Sequence, residues 1–272
     1  MDKIIALVAG ASRGAGKGVA LALAEIGATV YIAGRSSRED NPNPLGTIEQ
    51  TAAAVNQLGG QGIAVKCDCG DSTELKALFQ QIERQHNRLD ILVNAAWGGN
   101  EAPVFEGDVF EKVELNWEYM FEKGVRNYLL TACLGVPLLK KSKRALIANI
   151  SFWDDDKYTG HLYYDLAKHA MNRMALGLHH ELKEDKVTVV ALSPGYMKTE
   201  RVMAALEKDP SLAEQFGVPS ESTRYVGRAV TALFQDEEKW KNSGRCLRVG
   251  DLAQVYGFTD IDGTQPPPFL LP

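Results

Sequence analysis

The stretch Ile4-Ile5-Ala6-Leu7-Val8-Ala9-Gly10-Ala11-Ser12-Arg13-Gly14-Ala15-Gly16 decides how the rest of the chain is read. Six apolar residues run into a glycine, the pattern of a short strand buried on both faces. Gly10, Gly14 and Gly16 then open a helical pattern from Lys17 to Ile26. Glycines let the backbone turn tightly and approach a phosphate. The helix behind them offers unpaired N–H groups and the positive end of its dipole. The spacing is G-x-x-x-G-x-G, not the G-x-G-x-x-G of the common fingerprint. A strand before it and a helix after it still make this a candidate dinucleotide-binding turn.

Working outward, apolar runs of the same kind recur at Ala28–Ala33, Gly62–Lys66, Leu89–Val93, Ala145–Ile150 and Val187–Leu192, with a weaker one at Cys246–Val249. Amphipathic stretches separate them. Thr47 and Gln50 fit a capping box ahead of Ala52–Leu58. Asp71-Ser72 precedes Leu75, Leu78, Phe79 and Ile82, which share one helix face. Longer helical patterns cover 108–141 and 161–184, and a shorter one covers Arg201–Lys208. This alternation predicts a single α/β domain over 1–272, with a doubly wound parallel sheet of about seven strands and helices on both faces. Residues 36–46 are polar with two prolines and read as a surface loop; residues 262–272 form a proline-rich tail outside regular structure.

Composition narrows the function classes. The 272 residues are 45% hydrophobic and 24% charged, as in a folded globular protein rather than a disordered one. A net charge of −5 leaves no basic excess for binding nucleic acid. No segment reaches the roughly 18 apolar residues of a membrane span, and the apolar run after Met1-Asp2-Lys3 is too short for a signal peptide. Cys67, Cys69, Cys133 and Cys246 form neither a disulfide framework nor a zinc pattern and read as reduced thiols in the cytoplasm.

Charge also speaks to the cofactor. An NAD site wants a carboxylate at the end of the second strand, where this chain has Ala33-Gly34-Arg35. Arg35 and Arg13 suit the extra phosphate of NADP(H), so NADP(H) is favoured over NAD(H). Ser151 ends the fifth strand, at the sheet edge where ligands bind in this architecture. Tyr164 and Lys168 follow at i, i+4 on one helix face. A lysine ammonium favours the phenolate of a nearby tyrosine. A tyrosine so tuned, beside a serine hydroxyl, can protonate a carbonyl oxygen as hydride reaches the carbon.

The chain resembles the short-chain dehydrogenase/reductases over about residues 3–255. The motifs are Gly10 through Gly16, Asp68 after the third strand, Asn94-Ala95-Ala96 after the fourth, Ser151/Tyr164/Lys168, and Pro194-Gly195 with Thr199. Ala28–Arg35 and the ending from Asp251 to Gly263 look like the branch called dehydrogenase/reductase family member 1. The resemblance implies a Rossmann-type fold, with Ser151, Tyr164 and Lys168 catalytic. It implies cofactor contacts from Gly10, Ser12, Arg13, Gly14, Gly16, Arg35, Asp68, Asn94, Ala95, Tyr164, Lys168, Pro194, Gly195 and Thr199. Asp68 would bond the adenine amine, Asn94 would support the sheet, and Thr199 would reach the carboxamide or phosphate. Members of that branch carry a longer hydrophobic C-terminal end associated with membranes; this chain stops at Pro272, so a soluble protein is expected.

Two departures matter. Trp97 follows Asn94-Ala95-Ala96, where many members have glycine, and would narrow the site or stack on a ligand. The family's fourth catalytic residue, a helix asparagine, is Gly124 here, with Asn127 the nearest amide. Either Asn127 substitutes or the proton relay differs.

The substrate would be a small carbonyl or alcohol, apolar if Trp97, Phe152, Trp153 and Tyr196 form its pocket, with a lid over about 196–220. Asp154 to Asp156 read as a solvated turn rather than a metal site. His161, His169, His179 and His180 read as surface or core residues. A homodimer or homotetramer is expected, with Met171, Met174, Leu178 and Leu182 serving an interface or, equally, the core. The leading reading is an NADP(H)-dependent oxidoreductase interconverting carbonyl and alcohol. The rivals are a catalytically silent NADP-binding sensor or scaffold, which Gly124 favours, and an epimerase or dehydratase that uses the cofactor transiently.

Overall fold

The computed structural model describes residues 3–39, 43, 45–153, 155, 157–212 and 220–271. The apolar runs become β1 (Ile5–Ala9), β2 (Thr29–Gly34), β3 (Gln61–Lys66), β4 (Ile91–Asn94), β5 (Leu146–Ile150), β6 (Thr188–Ser193) and, near the C-terminus, β9 (Cys246–Arg248). They form one parallel sheet in the order β3-β2-β1-β4-β5-β6-β9. Every residue of β1, β2, β4, β5 and β6 is buried, which is why these runs carry no polar alternation.

Helices cover both faces. Ala6 and Val8 point into a core shared with α1 (Gly14–Glu25), α2 (Ile48–Gln57), α8 (Thr223–Gln235) and α9 (Val249–Tyr256). Ile5 and Leu7 point the other way, toward α3 (Ser72–His86), α5 (Asn127–Leu139) and α6 (Leu162–Leu182). The period of two in a strand divides one sequence run between two cores. The cap signals hold: Thr47 and Gln50 form a capping box, and Asp71 accepts from the N–H groups of Thr73 and Glu74.

The sheet order reverses between β1 and β4, so their C-terminal ends open a crevice. The registers Ala9↔Ala33, Ala9↔Asn94 and Asn94↔Asn149 bring the ends of β2, β1, β4 and β5 level. Gly10, Ala95 and Ser151 therefore leave the sheet side by side.

Three details sharpen the sequence reading. The pattern over 108–141 begins as α4 (Val113–Asn116), widens into a π segment (Trp117–Arg126) and only then becomes α5. Such widening has the period of neither helix nor strand and often marks functional sites. Met171 and Leu182 are core residues, which removes them from an interface; Leu162 and Leu166 are the exposed apolar side chains of α6. The expected lid includes a short β7 (Tyr196–Met197) and α7 (Glu200–Lys208), then returns as β8 (Ser220–Glu221), while 213–219 lie outside the described residues. The same holds for Asp154 and Asp156 and for part of the loop over 36–46. Among the described residues no helix is long and apolar enough to cross a membrane.

Candidate active site

A cleft of about 630 Å³ runs along the C-terminal edge of the sheet from the glycine turn to α6. At its near end the backbone itself forms the floor. Gly10 has φ +83°, and a Cβ there would meet the Ala96 Cα at 2.5 Å. A Cβ on Gly16 would come 2.2 Å from the Gly10 carbonyl oxygen. This turn closes only because both positions lack a side chain.

The turn accepts an anion. The Glu200 carboxylate takes a hydrogen bond from the Gly14 N–H at 2.7 Å and one from Lys17 Nζ at 3.0 Å. Burial opposes its charge, but these donors hold it below the usual carboxylate range. A carboxylate at the start of α1 is what the helix dipole attracts, and a phosphate has the same claim on that place.

Beside it gather three guanidinium groups. Arg13 is half-buried and donates to the Ser36 hydroxyl at 3.2 Å. Burial and then the charge of Arg201 lower its pKa against the opposing charges of Glu101 and Glu200, with Arg35 a smaller lowering influence. Arg35 ion-pairs with Glu101 and stands 4.0 Å from Asp68. Asp68 also accepts from the Gly70 N–H at 2.8 Å.

At the far end Ser151, Tyr164 and Lys168 line the same cleft. The Ser151 hydroxyl, 4% exposed, donates to the Lys168 carbonyl at 3.1 Å. Lys168 Nζ lies 5.5 Å from the centre of the Tyr164 ring. Burial pushes the Lys168 ammonium down to about 7 and the Tyr164 phenol upward. Against the expectation that the lysine lowers the tyrosine, desolvation favours the neutral form of both.

The remaining residues divide. Gly10, Ser12, Arg13, Gly14, Gly16, Arg35, Asp68, Ala95, Pro194, Gly195 and Thr199 line the cleft, as do Trp97 and Phe152. Asn94 lies beneath it and is almost wholly buried; its amide donates to Asn149 Oδ1 at 2.9 Å and to the Tyr128 carbonyl at 3.3 Å. Trp153 and Tyr196 are not in the cleft. Trp153 stacks under the Arg248 guanidinium, 4.5 Å from the ring, and lines a separate cavity. Tyr196 alternates with Met197 along β7, and Met197 takes the inward place.

Sequence reasoning missed several contributors. Phe105, far off in the chain, packs edge-on to Tyr164 at 5.7 Å. His161 caps α6, its Nδ1 accepting from the Tyr164 N–H at 3.3 Å, and it lines the cleft. From the tail, Phe269 packs on Phe152 at 5.9 Å. A histidine just before a helical run was the only available signal among these. The buried Glu221 accepts from the Gly195 N–H, and burial raises its carboxyl to about 8.

The departure at Gly124 has a steric counterpart. The Trp97 indole fills the space beside it: a Cβ on Gly124 would stand 2.6 Å from Trp97 Cζ3. Asn127 faces a different corner, its Oδ1 within 3.2 Å of where a Cβ on Gly70 would lie.

Known proteins resemble this chain in sequence and in fold. The family described as short chain dehydrogenase matches residues 4–210. Dehydrogenase/reductase SDR family member 1 of Mus musculus is 34% identical over 270 residues, covering 95% of this chain and 83% of that protein. A short chain dehydrogenase of Mycobacterium thermoresistibile superposes with a TM-score of 0.80 at 23% identity, covering 98% of this chain and 94% of the other. A 3-oxoacyl-[acyl-carrier protein] reductase of Brucella melitensis, solved in complex with NAD, gives 0.75 at 23% identity, covering 92% and 96%. The last two likenesses concern the fold.

Proposed function

The chain belongs to the short-chain dehydrogenase family, and on that footing we propose that it is an NADP(H)-dependent oxidoreductase interconverting a carbonyl and an alcohol on an apolar substrate. One observation carries the reading: Ser151, Tyr164 and Lys168 line one end of a cleft whose other end is a glycine turn holding an anion.

The residues present fit the cofactor. The Gly10–Gly16 turn and the start of α1 would hold its pyrophosphate, in the place the Glu200 carboxylate takes now. Arg13, Arg35 and Ser36 would receive the 2′-phosphate of NADP(H), and Asp68 the adenine amine. The Brucella structure with NAD shows that its own chain takes the unphosphorylated cofactor; the arginine cluster is the reason to propose NADP(H) here.

A bound nicotinamide supplies or accepts the hydride. Ser151 turns its hydroxyl from the Lys168 carbonyl to the substrate oxygen and orients it. In reduction Tyr164 gives its phenolic proton to that oxygen; in oxidation the phenolate takes it back. Lys168 in its charged form stabilises the phenolate and bonds the nicotinamide ribose. Trp97, Phe105 and Phe152, packed within 6.3 Å of the Tyr164 ring centre, exclude water from the proton transfer and favour an apolar substrate. We further read the chain as one dinucleotide-binding domain that pairs with copies of itself through exposed apolar residues such as Leu129 and Leu166. Its four free cysteines support a cytoplasmic location.

The test is NADPH and NADH oxidation against a panel of ketones and aldehydes, with Tyr164→Phe beside the wild type. Turnover with NADPH that falls at least about a hundredfold in the variant supports the reading. Equal turnover in both proteins refutes the role of Tyr164. NADPH binding without turnover on any carbonyl moves the protein to the sensor class.

A further inference from the structure

Three segments distant in sequence meet at the Trp97 indole. The ring belongs to the loop after β4, and two glycines grip it. A Cβ on Gly99 would stand 2.5 Å from Cζ2, and one on Gly124, in the π segment, 2.6 Å from Cζ3. From α6, Lys168 places its Nζ 4.0 Å from the centre of the indole face, and Tyr164 meets the same indole edge-on at 5.9 Å. The Lys168 side chain is buried, and among the described residues its Nζ makes no hydrogen bond; ring faces are its neighbours. A buried ammonium needs compensation, and the negative face of an indole supplies it best among the aromatic side chains.

Other titratable groups do not substitute. Tyr164 and His161 share α6 with the lysine, Tyr128 reaches the cleft from α5, and Asp68 and Cys69 line it from the β3–α3 loop. Lys123, on the π segment, turns its own ammonium onto Glu118 at 2.7 Å and the Tyr119 ring at 3.8 Å. Burial is what pushes the Lys168 ammonium down.

We propose that Trp97 is a positioning residue of the reaction, its indole face holding the Lys168 ammonium beside Tyr164, and that Gly124 is the residue that admits the indole. This rests on the oxidoreductase reading above. It also accounts for a glycine in the π segment: any side chain there expels the ring. Trp97 and Gly124 are then one device in two places and should behave as a coupled pair.

The experiment reads Lys168 directly, so it does not depend on turnover. Protein labelled with 13C at lysine Cε is titrated by NMR, the Lys168 signal being identified by its loss in Lys168→Met. Trp97→Leu should lower the Lys168 titration by about one pH unit, the scale of a desolvated cation–π contact. Trp97→Phe, which keeps a ring face, should recover about half of that. Gly124→Ala should reproduce the drop with Trp97 intact and add nothing in the Trp97→Leu background. On the wild type and the same variants, the alkaline limb of the kcat/KM profile for carbonyl reduction should move down in step.

An unmoved Lys168 titration in both Trp97→Leu and Gly124→Ala overturns the proposal. So does an additive effect of Gly124→Ala in the double variant. If Trp97→Leu fails to fold, Trp97→Phe and Gly124→Ala decide by the same criterion. If the NMR shifts appear but the wild type reduces no carbonyl, the oxidoreductase reading has failed while the hold of the indole on the lysine stands.

Discussion

The two arginines at the glycine end differ in one respect that a cofactor titration can read. Arg35 is 42% exposed along its side chain and already committed to Glu101, with Asp68 behind it. Arg13 is half-buried, its described hydrogen bond goes to a neutral hydroxyl, and burial with the charge of Arg201 outweighs the opposing charges of Glu101 and Glu200. A 2′-phosphate would therefore relieve repulsion at Arg13 but would compete with a carboxylate at Arg35. A charge-assisted hydrogen bond from a partly buried donor contributes about 1.5–3 kcal/mol, so Arg13→Ala should weaken NADPH about ten- to hundredfold. An exposed and already paired charge contributes about 0–1 kcal/mol, so Arg35→Ala should weaken NADPH less than about fivefold. NADH, which lacks that phosphate, should change about twofold or less in either variant. The assay is the Kd of each cofactor by fluorescence at low and high salt, which needs no substrate; the Arg13 effect should shrink as salt rises. Equal losses for NADPH and NADH, or a larger loss at Arg35 than at Arg13, would refute the assignment of Arg13 to the 2′-phosphate.

Glu200→Gln should tighten NADPH about three- to tenfold, because the wild-type carboxylate holds the Gly14 N–H and Lys17 that the pyrophosphate needs; weaker binding in this variant would count against the shared site. Glu221 predicts a pH dependence of stability. Its folded-state pKa of about 8 lies above that of an ordinary glutamate, so the folded protein keeps a proton that the unfolded chain releases. Stability is then lost as pH rises from about 4.5 to 8. Glu221→Gln should remove that loss, about 5 kcal/mol in full, by thermal unfolding on either side of the window. An identical pH dependence in variant and wild type would show that the carboxyl is not held neutral.

The sequence made most of the sheet legible because the signal is local. Ile5, Leu7 and Ala9 alternate with Ala6 and Val8 in a strand buried on both faces, and a run without polar residues can be seen in six letters. Glycine at 10, 14 and 16 is legible because the three recur within seven residues straight after a strand, although the contact that excludes a side chain at Gly10 comes from Ala96 in the loop after β4 and only that at Gly16 lies within the turn. The segment around Trp117–Arg126 was not, because a π segment has neither helical nor strand periodicity. Trp153 was misplaced because its stacking partner, Arg248, lies almost a hundred residues on, and nothing local says which way an aromatic will turn. Phe105 and Phe269 reach the site by tertiary packing alone.

By itself, then, the chain's sequence determined the α/β alternation, the glycine turn at the first strand and the family to which its motifs belong. Each is carried by residues near one another, where backbone sterics and periodicity act. Only the tertiary structure decided that Trp97 fills the place beside Gly124 and that its indole faces Lys168. It alone set Glu200 on the start of α1 and balanced Arg35 with Glu101 while leaving Arg13 to a hydroxyl. The physical reason is common to all of these. Steric exclusion and electrostatic compensation depend on which segments the sheet order brings together, and at β1 and β4 that order departs from the order of the chain.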